Sequence, residues 1–471
     1  MINRTRRNLL FTAAATPLHP LLGVARAEDR ATRHLTLIPK AGQTQMVPEK
    51  YGKTAVWCFN DAVPGPVIRV KQNDLVDIKV MNKLEQSTTV HWHGIRVPNA
   101  MDGVPHLTQM PIAPDDEFHY QFAAEDAGTF WYHPHHRSME QVGRGLYGPL
   151  IVEEPEPIQV DRELIWVLDD WKLTKEAQLV GQFGHPHDLS HAGRIGSTIT
   201  INGKLPNDLV VRTGERIRLR LINAANARIF GLHFAGHQPQ LIAIDGHPVT
   251  PHQPDQNIFH LAPAMRMDIA LDMIGKPGES FSIIDNYYQR DRYQLSEIIY
   301  GDEPLRDNVL ASSIALPSNP LAEPDLNNAE EYDVTFDGGA MGGMEGAMMN
   351  GEWKDIRSMA HQGNFWSING VSATGHILKP LITLNRGTTA ILRLKNQTRW
   401  PHPIHLHGHS FRVIARNNEP TAHQEWQDTV LIEPQEIAEV AFVADNPGDW
   451  MFHCHILEHQ ASGMMGVIRV A

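Results

Sequence analysis

The stretch Ala390-Ile391-Leu392-Arg393-Leu394-Lys395-Asn396, followed by His405-Leu406-His407-Gly408, carries the periodicity that decides the fold. Apolar and polar residues alternate along its first part, the period of a strand with one buried face. The same unit occurs twice earlier. Leu75-Val76-Asp77-Ile78-Lys79-Val80-Met81-Asn82 leads to His91-Trp92-His93-Gly94, and Ile217-Arg218-Leu219-Arg220-Leu221-Ile222-Asn223 leads to His233-Phe234-Ala235-Gly236. Turn residues precede each copy, at Asn60-Asp61, Asn202-Gly203 and Asn369-Gly370. Internal repetition of strand-period segments, with few helical stripes, predicts an all-β chain of three successive antiparallel Greek-key sandwiches. The linkers are expected near Glu153–Val160 and Pro317–Tyr332, which are rich in proline or polar residues.

Units one and three also close alike. Gly128-Thr129-Phe130-Trp131-Tyr132-His133-Pro134-His135 parallels Gly448-Asp449-Trp450-Met451-Phe452-His453-Cys454-His455, and Gly145-Leu146-Tyr147-Gly148 parallels Gly463-Met464-Met465-Gly466. Pro134 stands where Cys454 stands, and Leu146 where Met464 stands. The fold is shared; the chemistry is not.

That chemistry is concentrated in histidine, of which there are 27. On a strand, residues i and i+2 share a face. Each of His91/His93, His133/His135, His405/His407 and His453/His455 therefore offers two imidazoles side by side. Four such pairs exceed what one metal ion needs and suffice for a cluster. His402, Cys454, His459 and Met464 remain. Two His, one Cys and a weak axial Met are the ligands of a blue-copper electron-transfer site. Cys454 points away from its neighbours His453 and His455, so one strand touches both sites.

The chain has 471 residues, too many for one core, and 42% hydrophobic content. Two cysteines rule out a disulfide framework, and Cys58, within Val56-Trp57-Cys58-Phe59, is expected to be a buried structural thiol. Residues 1–27 resemble a leader: Arg6-Arg7 precede an apolar run, and Ala25-Arg26-Ala27 resembles a cleavage site. A twin arginine predicts export by the twin-arginine machinery and a periplasmic product. No later apolar run approaches the ~20 residues of a spanning helix, so no stable membrane insertion is expected. The formal charge is −13, and about −17 without Arg4, Arg6, Arg7 and Arg26. Such an acidic surface argues against nucleic-acid binding.

Taken together, the four histidine motifs resemble those of the multicopper oxidases: laccases, ascorbate oxidases, ferroxidases and bacterial copper-efflux oxidases. The resemblance spans about Leu37 to Ala471 and is nearest the bacterial three-domain members. It implies cupredoxin-like domains at 35–155, 158–316 and 330–471. It also implies four coppers per chain, with dioxygen reduced to water by electrons taken singly from Cu(I), a phenol or an aromatic amine. By motif, His402, Cys454, His459 and axial Met464 would hold the type 1 copper, and His91 and His405 the type 2 copper. His93, His133 and His455 would hold one type 3 copper, and His135, His407 and His453 the other. Domain two, with Ala235 where His93 and His407 stand, would carry no copper. Asp102 and Glu458 resemble family acids that supply protons. A monomer is expected.

The substrate is less legible. Gly338–Met349, continuing to Met359 and His361, is rich in Met and Gly, soft and flexible enough for a cuprous flap. Against a cation, Asn396-Gln397-Thr398-Arg399-Trp400-Pro401 holds no carboxylate beside His402, while Trp400 could stack on an aromatic ring. A laccase without a metal-homeostasis role, and a non-catalytic copper-binding protein, are the alternatives.

Overall fold

The computed structural model describes residues 31–375 and 379–471; the leader expected over 1–27 lies outside them. Three β-sandwiches follow one another. In the sheet of each that carries its histidine segment, the strand order is the same. The third runs Ile382–Leu384, Met465–Val470, Gly448–Cys454, His402–Leu406, Thr429–Ile432. The second runs Leu209–Val211, Tyr293–Tyr300, Ser280–Asp285, Phe230–Phe234, Phe259–Leu261, and the first runs Ile68–Lys71, Gly148–Glu153, Gly128–His133, His91–His93. Among the described residues no helix is long and apolar enough to cross a membrane.

The pairing is not wholly antiparallel, as the alternation alone suggested. In every copy the outer strand of this sheet lies parallel to the strand that closes the unit: Ile68–Lys71 with Gly148–Glu153, Leu209–Val211 with Tyr293–Tyr300, and Ile382–Leu384 with Met465–Val470. Parallel neighbours need a long crossover rather than a hairpin, and the rest of each sandwich is that crossover.

Leu75–Met81 is buried on alternate residues, as its sequence predicts. The corresponding strand of domain two, Arg216–Asn223, is buried along its whole length. Its arginines face protein rather than water. Arg218 binds Glu154 and Asp268, and Arg220 binds Glu163, Asp268 and Thr129. The polar face that looked solvated is a charge-compensated seam between sandwiches one and two, the only way such residues tolerate burial. Cys58 lies in an apolar cluster beside Trp131, Tyr147, Trp171 and Leu457, a free buried thiol.

A second seam joins domains two and three. His247 Nε2 is 2.7 Å from Ser410 Oγ, and its Nδ1 is 3.1 Å from Asn319 of the linker. Burial pushes the His247 imidazole down to about 4. A folded-state value below the unfolded ~6.5 stabilises the protein above that pH and is lost as the pH falls toward the folded value, up to ~3 kcal/mol for such a shift. His247→Gln should therefore flatten part of the loss of urea-unfolding stability between pH 7 and 4.5. Parallel pH curves for variant and parent would contradict this.

Candidate metal centre

Register places the paired histidines. His91 lies beside His133 across the first sandwich's strands, and His405 beside His453 across the third's. The two sandwiches face each other, so all four pairs meet. His453 Nε2 lies 3.1 Å from His407 Nε2 and 3.4 Å from His135 Nε2, and His455 Nε2 is 3.4 Å from His133 Nε2. His91 stacks on His407 at 3.9 Å, and His93 on His405 at 3.8 Å. All eight rings are buried.

The tautomers follow from acceptor-only partners. Nδ1–H of His91, His405, His133 and His453 donates to the carbonyls of Asp102, Asp428, Pro134 and Cys454. His407 Nδ1 donates to the Asp102 carboxylate (2.9 Å), and His93 Nε2 to Asp428 Oδ1 (3.0 Å). The opposite nitrogens are therefore bare lone pairs, and all of them point inward. His91 Nε2, His405 Nε2 and His93 Nδ1 have no hydrogen-bond partner among the described residues. Burial, reinforced by neighbouring imidazoles, holds His133, His135, His407, His453 and His455 well below the usual histidine range, so the rings are neutral. Lone pairs facing one another at ~3 Å in a dry interior repel unless cations lie between them. This donor set fits a group of metal ions.

The second set also assembles. His459 Nδ1 is 3.1 Å from His402 Nδ1, and Cys454 Sγ is 3.5 Å from His402 Nδ1 and 3.7 Å from His459 Nδ1. The outer nitrogens are used: His402 Nε2–H donates to Thr398 Oγ1 (2.8 Å) and His459 Nε2–H to the His191 carbonyl (2.6 Å). Both Nδ1 atoms are again bare. Burial pushes the Cys454 thiol up, so the thiolate forms only with a metal to hold it. Met464 is buried in the same core as Cys454 and follows directly on Gly463. Gly463 has φ 120°, and a Cβ there would fall 2.4 Å from the Trp366 carbonyl, so only glycine allows this turn.

Asp102 is fully buried against His407 and His91. Gly103 makes its turn possible, since a Cβ there would sit 1.9 Å from the Val90 carbonyl. Glu458 is elsewhere. Its Oε1 accepts from Asn226 Nδ2 of domain two (3.0 Å), and burial pushes the carboxyl up to about 7. His233 belongs to neither set. The methionines of the 338–361 segment divide: Met344, Met349 and Met359 pack together, while Met341 and Met348 are exposed. Instead of a free flap, the segment contains a hairpin, Gly346–Met349 with Glu352–Asp355, and the helix Ile356–His361.

The three matches to the multicopper oxidase family cover residues 40–157, 162–299 and 349–471. The chain belongs to the multicopper oxidase family. It is 32% identical to multicopper oxidase MmcO of Mycobacterium tuberculosis, over 86% of this chain and 81% of that protein. It is 26% identical to copper resistance protein A of Escherichia coli, over the whole of both. Its structure is similar to that of a multi-copper oxidase from Pseudomonas thermotolerans, with TM-score 0.82 and 34% identity over 94% of this chain and 100% of the other. As a multicopper oxidase it uses copper and couples oxidation of a reductant to reduction of dioxygen.

Asp428 lies outside every motif and shows its role only in the folded chain. Its carboxylate bonds His93 and its carbonyl bonds His405, so it orients two cluster imidazoles. Arg266 of domain two holds it with bonds of 2.9 and 2.6 Å. Burial opposes ionisation of Asp428, but the guanidinium outweighs it and keeps the carboxylate ionised. Asp245, also of domain two, accepts the Asp428 and Thr429 amide N–H groups. Arg266→Gln strands a buried carboxylate, a loss of about 3–5 kcal/mol. It should lower the unfolding midpoint and reduce the copper retained per chain on dialysis. Full copper retention would show that Arg266 does not position the cluster.

Proposed function

We propose that the chain is an exported oxidase in which small reductants give up single electrons at the His402–Cys454–His459–Met464 centre and dioxygen is reduced at the eight-imidazole cluster. The observation that carries this is the strand Gly448–Cys454 and the residue after it. His453 and His455 face the cluster while Cys454, between them, faces the other centre. His91 and His405 are assigned to the type 2 copper; His93, His133 and His455 to one type 3 copper; and His135, His407 and His453 to the other. When bound, copper supplies one-electron acceptance at the first centre and multi-electron reduction at the second.

The chain's own residues do the rest. A cavity of about 750 Å³, lined by His106, His135, His136, Met139, Gln460 and Met465 among others, leads to His135 and is our candidate route for dioxygen. Reduction to water consumes four protons per dioxygen, and Asp102, in contact with His407 and His91, is placed to hold one beside the cluster. Glu458 faces Asn226 and Gly193 instead, so we assign its proton exchange to the side of His459. We place the domain limits at 35–155, 158–316 and 330–471, supported by the repeated strand order. Export by the twin-arginine route to the periplasm, supported by Arg6-Arg7, completes the reading.

The reductants we favour are phenols or aromatic amines and Cu(I). Trp400 and Arg399 beside His402 support the first. Exposed Met341 and Met348, and the copper-resistance relative, support the second, together with a role in copper homeostasis.

Cys454→Ser should remove the intense blue absorbance and at least ~10³-fold of oxygen uptake, while copper bound by the paired histidines stays. Retained colour and turnover would refute the assignment. Met341→Ser with Met348→Ser should slow oxygen uptake with Cu(I) but not with a phenol; equal rates in both proteins would remove the methionines from the mechanism.

A further inference from the structure

We propose that the electron donor docks outside the type 1 centre, on an aromatic ledge formed by His187 and His191 of domain two with Trp400 of domain three, and that the ledge takes a planar phenol. This rests on reading His402–Cys454–His459 as the copper site where electrons arrive.

The outer nitrogens of both imidazoles are already spent. His402 Nε2 is closed by Thr398, which is itself fully buried, and His459 Nε2 is closed by the His191 carbonyl at 2.6 Å. His402, Cys454 and His459 are all fully buried. A donor therefore has no copper-binding ring to touch, and the group one hydrogen bond away that reaches toward the surface is His191.

The short helix Pro186–Ser190 explains why. Its last carbonyls lack partners within the helix, as at any helix end, and domain three supplies them. Leu189 accepts from Trp366 Nε1 (2.7 Å), Ser190 from the Ala340 amide (2.7 Å), and His191 from His459. Gly193 lets the loop lie this close; a Cβ there would meet Ala227 at 2.4 Å and Ile456 at 2.7 Å. The helix end is thus fastened over the centre.

On its outer side the rings form a platform. His187 stacks on His191 at 4.0 Å and 10°, and Trp400 meets His191 edge-on at 5.4 Å. Trp400 is fixed by its Nε1 bond to the Ala340 carbonyl (3.1 Å). His187 is exposed, and His191 and Trp400 are half-buried. Such contacts hold a phenol ring about 3- to 10-fold more tightly than its buried area alone. Each docked phenol loses one electron, through the His191–His459 hydrogen bond, and its hydroxyl proton, to solvent at the open edge. Four phenoxyl radicals then balance one dioxygen reduced to two waters.

The test uses copper-loaded enzyme, 2,6-dimethoxyphenol as donor and 1,3-dimethoxybenzene as a redox-inert probe for calorimetry. His191→Ala and Trp400→Leu should each raise KM roughly 3- to 10-fold and weaken probe binding by the same factor, with the blue absorbance unchanged. His191→Phe and Trp400→Phe, which keep a ring, should restore both. KM and probe affinity within about twofold of the parent in all four variants would overturn the ledge alone. An equal KM rise for ferrocyanide, which cannot stack, would overturn the aromatic assignment. Parent enzyme without blue colour or oxygen uptake would overturn the copper-site reading and the ledge with it.

Discussion

Lone pairs forced together in a dry interior are the constraint on which the structure depends. In six of the eight rings the inward nitrogen is bare because the other nitrogen is committed to a carbonyl or carboxylate. The outward bonds from His91 to Asp102, from His405 to Asp428 and from His453 to Cys454 are therefore as much part of the centre as the nitrogens that face inward. Remove the cations and what remains is a set of facing lone pairs that only the surrounding sandwiches hold in place.

Those sandwiches are not equivalent. Domains one and three supply all eight paired imidazoles. Domain two supplies none, yet it is more than a spacer. Arg266 and Asp245 reach across to fix Asp428, and the helix Pro186–Ser190 closes the cysteine centre with its final carbonyls. With Ala235 where the other copies have a second histidine, this copy of the repeat works through hydrogen bonds.

Much of this was legible in the chain. The threefold repeat and the His-x-His spacing are local patterns, and a period of two places both rings of a pair on one face whatever the tertiary structure. Cys454 between His453 and His455 followed from the same rule. What could not be read depends on contacts between sandwiches. Asp428 and Arg266 are 162 positions apart, and neither sits in a motif. The alternation Arg216-Ile217-Arg218-Leu219-Arg220 implied a wet face, because nothing local announces that Glu154, Glu163 and Asp268 will neutralise it. The Met-rich segment misled in the opposite way: glycine content suggested slack chain, while Met344, Met349 and Met359 supply enough apolar surface for a small core of their own.

Side chains that serve the two centres sit on consecutive residues, so the span between those centres is set by peptide bonds, while the cluster itself straddles a noncovalent joint. With dioxygen reduced at the cluster, as proposed, thermal breathing of that joint would alter how dioxygen is held but leave the distance between the centres almost untouched. An oxidase built this way can tolerate a flexing chemical pocket without losing control of when its electrons arrive.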